Sequence, residues 1–193
     1  MSQEIEIEYK NLLMMEEYDQ IHRFLPFNSV ELFEQTNYYF ETADLKLREQ
    51  GSALRIRKKN TRWTLTLKQP HEDGLLETHD TLTDEEANLW IQNKPMDKPH
   101  VSRQLQELGV DLGDLEFLGS LTTRRKELEY EGTTVVLDHS LYYDREDYEL
   151  EVEAPSQSKG TEVFQKILKE CKIPQRKTDN KIKRFYDAKL QSD

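Results

Sequence analysis

Side chains alternate across a β-strand, so charges at every second position share one face. Glu4, Glu6 and Glu8 form such a run, with Lys10 closing it and Ile5, Ile7 and Tyr9 opposite. Glu149, Glu151 and Glu153 repeat the pattern near the other end of the chain, opposite Tyr148, Leu150 and Val152. Asp138 follows the apolar run Val135, Val136 and Leu137. Other stretches carry cations at the same period: Arg55 and Arg57, Lys68 behind Thr64 and Thr66, and Arg124 and Lys126 behind Ser120 and Thr122. Arg125 has the opposite parity and is expected to face outward. One sign repeated along a strand costs free energy unless the other sign stands nearby. The chain is therefore expected to bring acid strands and base strands onto a common face.

Period-two alternation predicts strands over 3–10, 33–42, 52–59, 62–69, 74–82, 115–130, 133–140 and 148–153. Glu131-Gly132 reads as a hairpin turn. Helical spacing predicts helices over 14–25, 84–91, 102–108, 161–171 and 180–190. The first stops before Pro26, and Thr83 with Glu86 forms a capping box for the second. Strands joined by turns, with helices inserted between them or gathered at the C-terminus, make this an α+β chain with an antiparallel sheet or barrel. A sheet with one solvated face is the simplest reading. The alternative is that the amphipathic helices cover the Ile, Leu and Tyr face, so that closing the sheet turns the charged face into a polar lumen.

Lys+Arg is 27 and Asp+Glu is 38, a formal net charge of −11 over 193 residues. That balance disfavours a duplex nucleic-acid binder but permits a local basic pocket. The single cysteine, Cys171, allows neither an internal disulfide nor a Cys-rich zinc site. The N-terminal residues lack the pattern of a secretory signal, and the longest apolar run, 12–15, is too short to cross a bilayer. A cytoplasmic location and no membrane partner are the expectations. No HExxH, GxGxxG, Walker A or GxSxG pattern is present. Clustered carboxylates suit a hard cation such as Mg²⁺ or Mn²⁺, and Arg and Lys suit phosphate oxygens. Together they point to a polyphosphate bridged to a divalent metal.

The ordered motifs carry a resemblance. Glu6-Ile7-Glu8-Tyr9-Lys10 is similar to the E-x-E-x-K signature of the CYTH superfamily, also called triphosphate tunnel metalloenzymes. Tyr39-Phe40-Glu41-Thr42 with Asp44 resembles its Y-F-D-T-x-D segment, with Glu for the first Asp. Leu54-Arg55-Ile56-Arg57 resembles its L-R-x-R strand and Leu65-Thr66-Leu67-Lys68 its L-T-x-K strand. Thr123-Arg124, Asp138, Glu151-Val152-Glu153 and Lys181 stand in the order of its later motifs. The next family strand carries R-x-E-x-E. This chain reads Leu75-Leu76-Glu77-Thr78-His79, with Glu77 for the first acid, His79 for the second and no Arg.

The resemblance implies a single domain over 1–193 of the small bacterial kind, with an eight-stranded antiparallel β-barrel forming a tunnel and helices packed outside it and at the C-terminus. It implies a divalent-metal-dependent triphosphatase using Mg²⁺ or Mn²⁺. Glu6, Glu8, Glu151 and Glu153 are then the catalytic acids and, with Asp138, the metal ligands. Lys10, Arg55, Arg57, Lys68, Arg124 and Lys181 bind phosphate, and Glu77 and Lys126 are further candidates. Glu4 and Glu149, at strand ends, are assigned to the rim. The expected substrate is a small triphosphate or polyphosphate, by preference inorganic triphosphate. Rival readings are a class IV-type adenylyl cyclase and a non-catalytic binder of polyphosphate or nucleotide.

Overall fold

The alternating stretches become antiparallel strands in a computed structural model that describes residues 2–192. In chain order the elements are β1 (Gln3–Glu6), β2 (Glu8–Leu13), α1 (Met15–Phe24), β3 (Phe33–Thr42), α2 (Lys46–Glu49), β4 (Ala53–Lys59), β5 (Arg62–His71), β6 (Gly74–Leu82), α3 (Asp84–Ile91), α4 (Val101–Glu107), β7 (Leu115–Tyr130), β8 (Thr133–Tyr142), β9 (Arg145–Glu153), α5 (Gln157–Glu170) and α6 (Lys181–Ser192). Glu131 and Gly132 take positive φ, 51° and 78°. The two form the tight turn that pairs Tyr130 with Thr133.

The fold is α+β, but the expected closed eight-stranded tunnel is corrected. The sheet has nine strands in the order β1-β6-β5-β4-β3-β7-β8-β9-β2, so β1 and β2 end the order and the sheet is open. The expected strand over 3–10 is two strands. β1 pairs with β6, whereas β2 pairs with β9. The change falls at Ile7, whose carbonyl accepts from the N–H of Ala154 at 2.9 Å. Alternation reports which face a side chain takes and not which strand it pairs with, so the break leaves no mark on the period.

The chain divides into two compact units, residues 1–6 with 35–121 and residues 7–34 with 122–193. The first unit has its own core, in which Leu54, Ile56, Leu65 and Leu67 of the sheet meet Ala87 and Trp90 of α3 and Val101 and Leu105 of α4. Polar side chains fix the helix starts. Thr83 and Glu86 make the reciprocal capping box of α3. The Asp80 carboxylate accepts from the N–H groups of His100 and Val101 at 3.0 and 2.7 Å, at the start of α4. Glu41, fully buried, accepts from the N–H groups of Leu47 and Arg48 at 3.0 and 2.9 Å. Its carboxylate thus orders α2, a turn too short for periodicity to reveal.

In the second unit, Val135, Leu137, Leu150 and Val152 pack against α1 and α5 through Ile21, Val163, Phe164 and Ile167. The outer edge of β2 is covered by the segment before α6. The Leu12 N–H donates to Thr178 Oγ1 at 2.9 Å, and Asn11, fully buried, accepts from the Arg176 N–H at 2.6 Å. Arg176 then forks onto Glu17 of α1 at 2.7 and 2.8 Å.

Gly160 is where α5 comes against Tyr9. A Cβ there would overlap the Tyr9 ring, which is held by its hydroxyl to Gln157 O at 2.9 Å and Thr161 Oγ1 at 3.0 Å. Gly160→Ala should therefore destabilise the protein by about 1–3 kcal/mol despite Ala's better helix propensity. Urea unfolding followed by circular dichroism measures this, and an equal or higher midpoint would contradict the packing.

Candidate functional site

Each unit carries a charged face opposite its apolar core. In the first, β4, β5 and β6 align Arg55 with Thr66, Thr66 with His79, and Lys68 with Glu77, while Glu4 of β1 stands opposite Glu77. Lys68 Nζ lies 2.5 Å from Glu6 Oε2 and closes on Glu77 as well. Arg55 Nη2 is 3.9 Å from Glu77 Oε1, and Arg57 Nε donates to Asn37 Oδ1 at 2.9 Å. Burial alone would raise the Glu77 carboxyl. The Arg55 and Lys68 charges outweigh it and hold the group down at about 2. His79 Nδ1 meets Thr66 Oγ1 at 3.0 Å, and its Nε2 lies 3.2 Å from Glu4 Oε1 and 3.4 Å from Glu77 Oε2.

In the second unit the charged face is more deeply buried. Arg125 forks onto Asp138 with two bonds of 2.7 Å, and its Nη2 also donates to Glu151 Oε2 at 2.7 Å. Lys181, the first residue of α6, donates to Glu151 Oε1 at 2.7 Å and to Asp138 Oδ2. Arg184, one turn on, reaches Asp147 at 2.8 Å and also Glu149. Lys10 pairs with Glu8 and donates to Asn180 Oδ1 at 3.1 Å. Burial would raise the Glu151 carboxyl, but Lys181 and Arg125 hold it well below the usual range. Burial pushes the carboxyls of Glu149 and Glu153 up; the nearby Glu151 charge raises both, and Glu8 adds to it at Glu153, against the pull of Lys181 on the first and Arg125 on the second.

Most of the residues expected from the sequence stand on these faces: Glu6, Arg55, Arg57, Lys68 and Glu77 in the first unit, and Glu8, Lys10, Asp138, Glu151, Glu153 and Lys181 in the second. Arg124 and Lys126 do not. Arg124 is exposed, 3.6 Å from Glu34. Lys126 lies on the opposite side of β7, bonded to His22 Nε2 at 2.9 Å and the Phe27 carbonyl at 3.0 Å. The expected outward direction of Arg125 is likewise reversed. The hairpin register held the signal. A two-residue turn at 131–132 pairs Arg125 directly with Asp138, so an inward Asp138 requires an inward Arg125. Glu149, assigned to the rim, is only 1% exposed, because β9 begins at Arg145 and places it mid-strand. Arg184 was not foreseen.

A divalent cation fits the donor set on two counts. Glu8 and Glu153, both carboxylates, stand directly opposite each other across β2 and β9. Glu149 Oε1 is buried with no hydrogen-bond partner among the described residues. Oxygen donors of this kind suit a hard ion. Two clusters also include a histidine: Glu4, Glu77 and His79, and His71, Glu72 and Asp73 at the β5–β6 turn, each with its ligand atoms within 4.8 Å of one another. Among the described residues no helix is long and apolar enough to cross a membrane.

The CYTH domain family matches residues 4–186, and the chain belongs to that family. A Bacillus subtilis (strain 168) protein, "Putative triphosphatase YjbK", is 43% identical over the whole length of both chains. A crystal structure of "a putative adenylate cyclase" from Bacillus halodurans superposes with a TM-score of 0.91 at 42% identity, covering 96% of this chain and 100% of the other. HpAC1 from Hippeastrum, described as a "putative adenylyl cyclase" with a dominant triphosphatase activity, superposes at 0.77 with 25% identity, covering 95% and 96%.

Two predictions follow from the second unit's charges. Arg125→Met removes one of the two cations bonded to both Asp138 and Glu151, leaving Lys181, and should cost about 3 kcal/mol in urea unfolding, with Arg125→Lys recovering part of the loss. Since the raised Glu153 carboxyl marks an ion that is dearer in the folded state, Glu153→Gln should raise the Tm at pH 7. That gain should fade as the pH falls through the ordinary carboxylate range near 4.5, where the acid is protonated folded or unfolded. A Tm gain that persists unchanged at pH 3.5 would contradict the assignment.

Proposed function

We propose that this protein is a divalent-metal-dependent triphosphatase whose substrate is inorganic triphosphate. The observation that carries the reading is the burial of carboxylates beside Arg and Lys: Glu151 and Asp138 with Arg125, and Glu77 with Lys68 and Arg55. Full-length likeness to YjbK and the triphosphatase activity ascribed to HpAC1 support it. A bound Mg²⁺ or Mn²⁺ would withdraw charge from phosphate oxygens. Glu6 of the first unit and Glu8, Glu151 and Glu153 of the second are the proposed acids, with Asp138 sharing Arg125 and Lys181 with Glu151. Arg55, Arg57, Lys68, Lys10 and Lys181 are the proposed phosphate-binding cations, the guanidinium groups gripping two oxygens at once. Arg125 orients Asp138 and Glu151 rather than touching substrate. Glu153, whose carboxyl is raised, is suited to take the proton of the attacking water.

A second reading, cyclisation of ATP, is favoured by the description of the Bacillus halodurans relative as an adenylate cyclase. Product analysis separates the two. Inorganic triphosphate with Mg²⁺ or Mn²⁺ should yield orthophosphate, and ATP should not yield cyclic AMP with pyrophosphate. Glu6→Gln should lower the rate by about a hundredfold or more. Retention of full activity by that variant would remove Glu6 from the proposed machinery.

A further inference from the structure

Lys181 occupies the place of a cation. Its Nζ contacts Asp138 Oδ2, lies 2.7 Å from Glu151 Oε1 and is 3.7 Å from Glu149 Oε2. Three buried carboxylates thus converge on one ammonium. Three cations balance them: Arg125, Lys181 and Arg184. They are not equally free to leave. Arg125 is fixed mid-strand by a fork onto its direct cross-strand partner. Lys181 stands on a flexible stem at the first turn of α6, after the irregular stretch that runs from the end of α5. Both Glu151 oxygens are already engaged, Oε2 by Arg125 and Oε1 by Lys181. A metal ion approaching Glu151 Oε1 meets the Lys181 ammonium 2.7 Å from that oxygen, and the like charges oppose its binding until Lys181 moves away.

We propose that the Lys181 ammonium is an exchangeable counter-ion. In the free protein it holds the carboxylate oxygens that a divalent cation would use, and it gives them up by passing to a phosphate oxygen when triphosphate and metal bind. The phosphate half of this exchange rests on the triphosphatase reading, whereas the competition with metal does not. Metal alone would have to displace a well-paired buried ammonium and leave it without an anion. Triphosphate supplies that anion. The two ligands therefore bind with positive coupling, which must be reciprocal.

The test is Mn²⁺ binding in phosphate-free buffer, read by electron paramagnetic resonance. Lys181→Met should bind Mn²⁺ about tenfold tighter than wild type or more, and bind tripolyphosphate in EDTA about tenfold more weakly. Lys183→Met is the control. It removes the same charge from the exposed side of the same helix, where Lys183 pairs with Asp179 at 2.5 Å, and should change neither affinity. Lys181→Arg should leave Mn²⁺ binding at the wild-type level. Lys181→Gln, which keeps an N–H donor for Glu151, gives the same reading as the Met variant and replaces it if that variant does not fold. Mn²⁺ affinity in both Lys181→Met and Lys181→Gln no greater than in Lys183→Met would overturn the proposal. Failure of the wild-type protein to release orthophosphate would refute the function but leave the Mn²⁺ comparison intact.

Discussion

The fork of Arg125 onto Asp138, extended to Glu151, is the interaction on which the second unit's charged face depends. Removing ions from water costs several kcal/mol each, and mutual attraction repays this only with close geometry and saturated hydrogen bonds. Here the two-residue turn sets that geometry by placing Arg125 and Asp138 directly opposite one another. An apolar cluster of similar volume would be as stabilising or more so. The ions are therefore poorly explained by stability, and well explained by the need to hold carboxylate oxygens at fixed positions in a site of low dielectric.

Stability comes from elsewhere. Each unit buries an apolar cluster on the face opposite its ions, with α3 and α4 covering one and α1 and α5 the other. This division lets the charged faces stay polar without weakening either core. The helix starts are tied by buried acids, Asp80 and Glu41, whose carboxylates satisfy backbone donors. Glu41 is the residue that departs from the family's Asp in that segment. Its longer side chain still serves the backbone at Leu47 and Arg48, so its work in this chain is structural.

His79 departs from the family pattern in another way. An imidazole replaces a carboxylate between Thr66 on one ring nitrogen and two acids on the other. Thr66 orients the ring through Nδ1, the kind of hydrogen bond that fixes the ring of a metal-ligating histidine. The first unit's charged face thereby gains a nitrogen donor, while the second unit's donors are all carboxylate oxygens.

By itself the sequence determined which side chains share a face, because a period of two survives any choice of pairing partner. The acid runs of β1, β2 and β9 and the Arg55, Arg57 and Lys68 strands were legible in this way, as were the capping box at Thr83 and the turn at Glu131-Gly132. Only the tertiary structure decided that the first run splits at Ile7 between two partners and leaves the sheet open, since hydrogen-bonding partners leave no periodic trace. It also decided that Arg125 and not Arg124 turns toward the acids. Parity counted along β7 alone misplaces this residue, whereas register counted back from the turn places it correctly. The position of α6, which sets Lys181 and Arg184 among the carboxylates, was decided by long-range packing, and no local pattern in a helix names the strand it will cover.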